Sequence, residues 1–270
     1  MRLPPPQHQS PASGFTMLEV VVTITILLVL GAIAAAGYER CKIQGKIGVS
    51  ISNLRQLALA NIAYASDNNG SYCPSQDKRN RIRWHGVRQG NSFDPSRGFL
   101  APYLGRSGRV KICPLFKDFI TTADSWELGS GGYGYNAAYI GGSVARTGKY
   151  YLPEHINNVY YPSRTVMFTT SAFGSGEKLQ EYPYTEPPKA VRKGGRLSGA
   201  MQPSTHFRAN GKALVAWCDG HVTAEAPGKQ SGATTTYVFN GQEQVLGWFG
   251  PTAENGYWNP KAPQSVFVAR

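Results

Sequence analysis

From Phe15 to Gly37 the chain is apolar at almost every position, broken by three threonines and by one charge, Glu19. As a helix this run is roughly 35 Å long, enough to cross the hydrocarbon core of a bilayer. Past Gly37 the pattern turns amphipathic. Ile43, Ile47, Ile51, Leu54, Ala58, Ile62 and Ala65 recur every three or four residues among polar Lys42, Gln44, Lys46, Asn53, Arg55 and Gln56, the spacing of one apolar stripe on a helix. Asp67-Asn68-Asn69-Gly70 then supplies a stop suited to a left-handed cap. The pattern predicts one continuous helix over 15–66, about 75–80 Å long. Its first half (15–37) is lipid-compatible, and its second half (38–66) is built to lie on a domain. Gly37, Gly45 and Gly48 each lower helix propensity by about 1 kcal/mol relative to Ala, which permits bending there.

The remainder alternates between turns and short β patterns. Prolines 74, 95, 102, 114, 153 and 162 punctuate residues 71–162. Arg164–Thr170 reads as a strand and 174–204 as a long loop. A meander follows: Thr205–Arg208, a tight turn at Asn210-Gly211, a strand over Lys212–Cys218, a second turn at Asp219-Gly220, and a return over His221–Glu225. Thr235–Phe239 could add a strand, and 251–270 reads as a polar tail after a globular head over 67–250. Helix first, then antiparallel sheet, is an α+β arrangement.

Charge and cysteines refine this picture modestly. The chain carries 28 Lys+Arg against 16 Asp+Glu, a net +12, so its surface can attract anionic partners. The charge is scattered. The densest stretch, Lys78–Arg83, reads as a solvated loop, and no nucleic-acid-binding signature accompanies it, so no nucleic-acid partner is expected. None of Cys41, Cys73, Cys113 and Cys218 forms a C-x-x-C pair. Cys73 and Cys113 both precede a proline in turn-rich segments, which points to a surface disulfide between them. In the chain-entropy description such a bridge stabilises by roughly 3–4 kcal/mol.

Catalytic signals are sparse. His206, Cys218, Asp219 and His221 have side chains acceptable to zinc, and a calcium loop around Asp219 is a second alternative, although few carboxylates lie nearby. A structural turn explains Asp219-Gly220 without any ligand. There is no G-x-S-x-G, P-loop or dinucleotide-binding glycine pattern. The expectation is therefore no enzyme and no cofactor.

Glu19 demands an explanation, because a carboxylate in a spanning segment is costly unless it has a partner. A secretory signal cut after Ala34-Ala35-Ala36 leaves Glu19 unexplained, as does a plain anchor. The stretch Ser13-Gly14-Phe15-Thr16-Met17-Leu18-Glu19-Val20 resembles the type IV prepilin leader junction. The resemblance implies that 1–14 is a leader, that a prepilin peptidase cuts after Gly14 and methylates the new amine of Phe15, and that Glu19 pairs with that amine on a neighbouring subunit. The leader departs from the family pattern in being rich in proline and poor in Lys and Arg.

The resemblance extends further. Asn53–Tyr72, Phe99–Leu104, Cys113-Pro114 and Tyr133-Gly-Tyr-Asn136, in that order, are similar to segments of bacterial pseudopilin-like proteins. Asp219-Gly220-His221-Val222 is similar to a C-terminal motif of that group, in which a histidine lies ten positions before the aspartate. Here that position is Ala209, and the nearest preceding histidine is His206. The resemblance implies a pilin or pseudopilin subunit of a type IV pilus-like or type II secretion machine. It would be anchored in the bacterial inner membrane with its head periplasmic or extracellular, and its partners would be the peptidase, like subunits and an assembly platform. The alternative is a membrane-tethered surface module whose aromatic, basic head binds polysaccharide.

Overall fold

The computed structural model describes residue 14 and residues 16–116, 127–143, 152–175, 178–228, 237–239 and 244–268. Its elements in chain order are α1 (Met17–Asp67), β1 (Ile82–Arg83), β2 (Gly86–Gln89), β3 (Ser92–Asp94), β4 (Tyr133–Tyr135), β5 (Val166–Thr170), β6 (Phe173–Ser175), β7 (Lys178–Gln180), β8 (Lys189–Val191), β9 (Leu197–Ala200), β10 (Thr205–His206), β11 (Ala213–Trp217), β12 (Val222–Glu225), β13 (Tyr237–Phe239), β14 (Gln244–Gly247) and α2 (Ser265–Val268). The chain divides into two compact units, Met1–Gly45 and Lys46–Arg270. The arrangement is α+β, and among the described residues every ladder is antiparallel.

In the first unit α1 is one uninterrupted helix whose apolar side chains, from Met17 to Ile33, are 44–89% exposed. By length and composition it can cross a membrane. A water-facing helix keeps apolar residues on one stripe; this one carries them all round, as lipid requires.

In the second unit the same helix, from Lys46 on, buries the predicted stripe. Leu54, Leu57, Ala58 and Ala65 are buried, with Ile47, Ile51 and Ile62 packed beside them. The stop forms as the Asn-Gly signal predicts. Asn69 and Gly70 adopt φ of 51° and 77°, and Gly70 N–H bonds the Ala65 carbonyl at 2.8 Å, the six-to-one bond of a helix-terminating motif.

The main sheet runs β12-β11-β5-β4. β11 is buried at every position, because both faces of the sheet are covered. Leu214, Ala216 and Cys218 join the core under α1, while Ala213, Val215 and Trp217 join a second core with Phe207, Trp248, Phe249 and Trp258. The period-two alternation of a strand thus divides one sequence between two cores.

Four sequence expectations need correction. Residues 251–270 are no polar tail: Trp258 and Ala262 are fully buried and Val266 nearly so, since the far face of the sheet needs a cover. The 174–204 segment is not plain loop but holds the hairpins β6-β7 and β8-β9. The Asn210-Gly211 turn forms, with both residues at positive φ and reciprocal Ala209–Lys212 bonds of 2.9 and 3.1 Å. Its ladder stops there, however, because β10 leaves to pair with β14. Lys78–Arg83 is not wholly solvated either. Arg83 is 3% exposed and forms a bidentate pair with Glu127, and Trp84 and His85 beside it are buried.

Candidate processing and assembly site

Gly14 is exposed, and a Cβ placed on it would meet nothing within 4 Å. Among the described residues nothing crowds the backbone there. Phe15, the expected new N-terminus, lies outside the described residues. Thr16 precedes the first helical residue, and Glu19 sits in the first turn. Their side chains close a reciprocal cap. Thr16 N–H and Oγ1–H both donate to Glu19 Oε2, at 2.8 and 2.9 Å, and Glu19 N–H donates to Thr16 Oγ1 at 3.2 Å. This is a T-x-x-E capping box, which satisfies amide groups that a helix start leaves unpaired. The sequence carries this signal as Thr16-Met-Leu-Glu19, within the apolar run. Below it, Thr23 Oγ1 donates to the Glu19 carbonyl at 2.9 Å and Thr25 Oγ1 to the Val21 carbonyl at 2.8 Å. The hydroxyls inside the apolar run are thereby satisfied within the helix, which lets it carry them in lipid.

The motifs of the head fall into place as internal fastenings. Asn53 and Asn61, both buried, face the sheet from α1. Asn53 Nδ2 donates to Tyr133 Oη at 3.2 Å and Asn61 Nδ2 to Tyr135 Oη at 3.0 Å. Two helix residues eight apart thus meet two strand residues two apart. Gly134 lies between the tyrosines because a Cβ there would collide with the Tyr184 carbonyl. Asn136 Nδ2 donates to the carbonyls of Val166 and Trp258 at 2.9 and 2.8 Å, tying β4 to β5 and to the C-terminal cover.

Asp219-Gly220-His221 is the turn between β11 and β12. Asp219 Oδ1 accepts from His221 N–H at 3.1 Å, Gly220 has φ of 91°, and the His221 ring stacks on Trp217 at 5.7 Å. A Cβ on Gly220 would lie 3.5 Å from Leu59 and 3.7 Å from Ile62, so this turn rests on α1. His206 sits instead on β10, fully buried, with Nδ1 2.9 Å from an Arg208 nitrogen. Among the described residues no three His, Cys, Asp or Glu side chains come together to hold a metal. The zinc and calcium alternatives at Asp219 therefore find no ligand set there.

The expected Cys73–Cys113 bridge is corrected. All four cysteines are free thiols, and both members of that pair are buried rather than at the surface. Cys73 Sγ contacts the Pro74 carbonyl at 3.2 Å, and burial pushes its thiol well up. Cys113 Sγ lies 3.4 Å from Ser50 Oγ. Burial raises that thiol, but the Arg208 guanidinium and the Ser50 contact outweigh it and the net shift is downward.

Residues 10–35 match a family model described as the prokaryotic N-terminal methylation motif. The matched span contains Gly14, Phe15 and Glu19 and ends inside α1. No curated protein and no solved structure matches the chain.

Proposed function

We propose that this protein is a filament subunit of a type IV pilus-like or type II secretion pseudopilus machine. In this reading a prepilin peptidase cuts between Gly14 and Phe15 and methylates Phe15. The carrying observation is a methylation motif over 10–35 joined directly to a helix with apolar side chains on all sides. The exposed Gly14 supports access for a membrane peptidase. The α1 surface supports storage in the inner membrane as a monomer, then packing against like helices in a filament. A misplaced subunit would leave Glu19 and the new amine buried and unpaired, so the charge pair sets register as well as contact.

Mass spectrometry of the protein extracted from membranes of cells with an active prepilin peptidase tests the reading. A chain beginning at N-methylated Phe15 is expected. A chain beginning at Gly37, or one retaining residues 1–14, would overturn it.

A further inference from the structure

The segment Tyr182-Pro-Tyr-Thr-Glu186 is extended, and its side chains alternate. Pro183 and Thr185 are buried, while Tyr182, Tyr184 and Glu186 share the other face, partly buried. The backbone is held as if it were a further strand. Tyr135 N–H donates to the Pro183 carbonyl and Thr185 N–H to the Tyr135 carbonyl, both at 2.9 Å, and Trp84 Nε1 donates to the Pro183 carbonyl at 2.8 Å. Two phenol rings and a carboxyl group therefore stand in a row on a rigid support, the condition for a precise site.

That row lines a cavity of about 360 Å³, to which Gln76, Ala190 and Arg192 also contribute. The volume is at the small end of the range for small-ligand sites, roughly 300–1,000 Å³. Glu186 Oε1 accepts from Tyr182 Oη at 2.8 Å. Burial raises the Glu186 carboxyl above the usual carboxylate range, against the opposing effect of the Tyr182 hydrogen bond. Arg192, also in the lining, donates Nε–H to Ser198 Oγ at 2.9 Å. Ser75, also in the lining, is 1% exposed, and its hydroxyl has no partner among the described residues, an expensive state in a finished core.

We propose that this cavity binds a neutral saccharide unit. An anion would meet the Glu186 carboxyl, and a cation would meet the Arg192 guanidinium. A polyol offers donors and acceptors together and satisfies both, while the C–H face of its ring lies against tyrosine. Nothing in the proposed filament role requires this site, and it stands or falls separately from leader processing.

The test uses the full chain in a detergent without sugar head groups, with cellobiose, xylobiose and diacetylchitobiose as neutral probes and cadaverine and digalacturonate as charged ones. Saturation-transfer NMR should show at least one neutral disaccharide binding with Kd tighter than about 10 mM. Ala190→Trp, which fills the cavity, should weaken that binding at least about tenfold. The exposed Arg192→Ala, which leaves the fold alone, should weaken it about three- to tenfold, as loss of one charge-assisted hydrogen bond does. No binding by any neutral probe, binding only by a charged one, or affinity unchanged in the folded Arg192→Ala variant would overturn the proposal.

Discussion

Asn61 and Tyr135, 74 residues apart, are joined by a 3.0 Å hydrogen bond that closes a three-way lock. Asn61 Oδ1 accepts Cys73 N–H at 2.8 Å, and Tyr135 Oη donates to the Cys73 carbonyl at 2.8 Å. Helix, strand and the chain leaving the helix are each held by the other two. All three residues are buried, so every polar group removed strands another one. Asn61→Ala leaves the Cys73 amide without its partner and removes the donor to the phenol. It should cost roughly 2–4 kcal/mol, on the order of one buried unsatisfied group plus one lost bond. Urea unfolding of the full chain in detergent measures this; a loss below about 1 kcal/mol would mean that water replaces the side chain.

Gly134 makes a second, steric prediction. Its Cβ would fall against the Tyr184 carbonyl and the Ser171 hydroxyl. The Tyr184 carbonyl belongs to a segment paired with Tyr135 through its backbone, so it cannot yield, and the Ser171 hydroxyl is held by its bond to the Tyr182 carbonyl. Gly134→Ala should lower the unfolding midpoint sharply or prevent folding, whereas Gly90→Ala, where a Cβ meets nothing, should be far milder and carry only the cost of its positive φ. Parallel thermal melts decide between them.

The long helix, its stop and the β5, β11 and β12 strands could be read from sequence because each is announced locally. Apolar spacing, an Asn-Asn-Gly stop and an Asp-Gly turn all act within a few residues. What escaped was set by partners distant in sequence. Arg83 reads as one more loop cation until Glu127 is found opposite it. Trp258 reads as part of a tail until the far face of β11 is seen to need covering. Thr205 and His206 read as the outgoing arm of a hairpin because the competing partner, β14, carries no strong strand signal. At the N-terminus, Gly14, Phe15 and Glu19 stood out as a motif, while Thr16, whose hydroxyl and amide hold Glu19, looked like any threonine in an apolar run.

The two buried histidines give the head a definite acid response. Burial first, then Arg83 and Arg88, hold His85 well below the ordinary histidine range. Burial and Arg208 do the same for His206. At these two sites the folded state binds fewer protons than the unfolded chain below about pH 6.5, and their contribution to stability falls as pH drops through that value. Glu181 and Glu186, whose carboxyls burial raises, act in the opposite sense, so the total slope is not diagnostic. The difference between the parent and His85→Phe is. His85 packs edge-on against Trp84 and Phe93, a setting that accepts a phenyl ring. Between pH 7 and pH 5 the parent should lose up to about 1.4 kcal/mol per pH unit more than the variant. Equal slopes in urea titrations would show that His85 does not remain neutral in the folded head.

A chain beginning at Tyr38 should be soluble and folded. The apolar surface of α1 from Met17 to Ile33 lies before it, and every member of the two cores lies after it. Gel filtration and a cooperative melt check this. Aggregation of that fragment, with the full chain folding in detergent, would show that residues before Tyr38 are needed to complete the head.

Glu19 tests the assembly reading itself. Its carboxylate is held by Thr16 of its own chain, so the helix start is satisfied before any neighbour arrives. That cap is worth about 1 kcal/mol, less than the pairing of two charges withdrawn together from water, where loss of one partner costs roughly 3–5 kcal/mol. A newly freed Phe15 amine on an adjacent subunit can therefore outcompete the cap. Three substitutions separate these contributions. Thr16→Val removes the hydroxyl and weakens the cap but keeps the charge, so filament incorporation should persist. Glu19→Gln keeps a cap acceptor but removes the charge, and incorporation should fail. Glu19→Ala removes both; membrane insertion should be intact or improved, because an apolar residue suits lipid better, while incorporation again fails. Membrane fractionation reads the insertion, and cross-linking or shear release of assembled subunits reads the incorporation. If Glu19→Gln and Glu19→Ala both assemble like the parent while Thr16→Val does not, Glu19 serves only to start its own helix, and the charge pair that the filament reading depends on is absent.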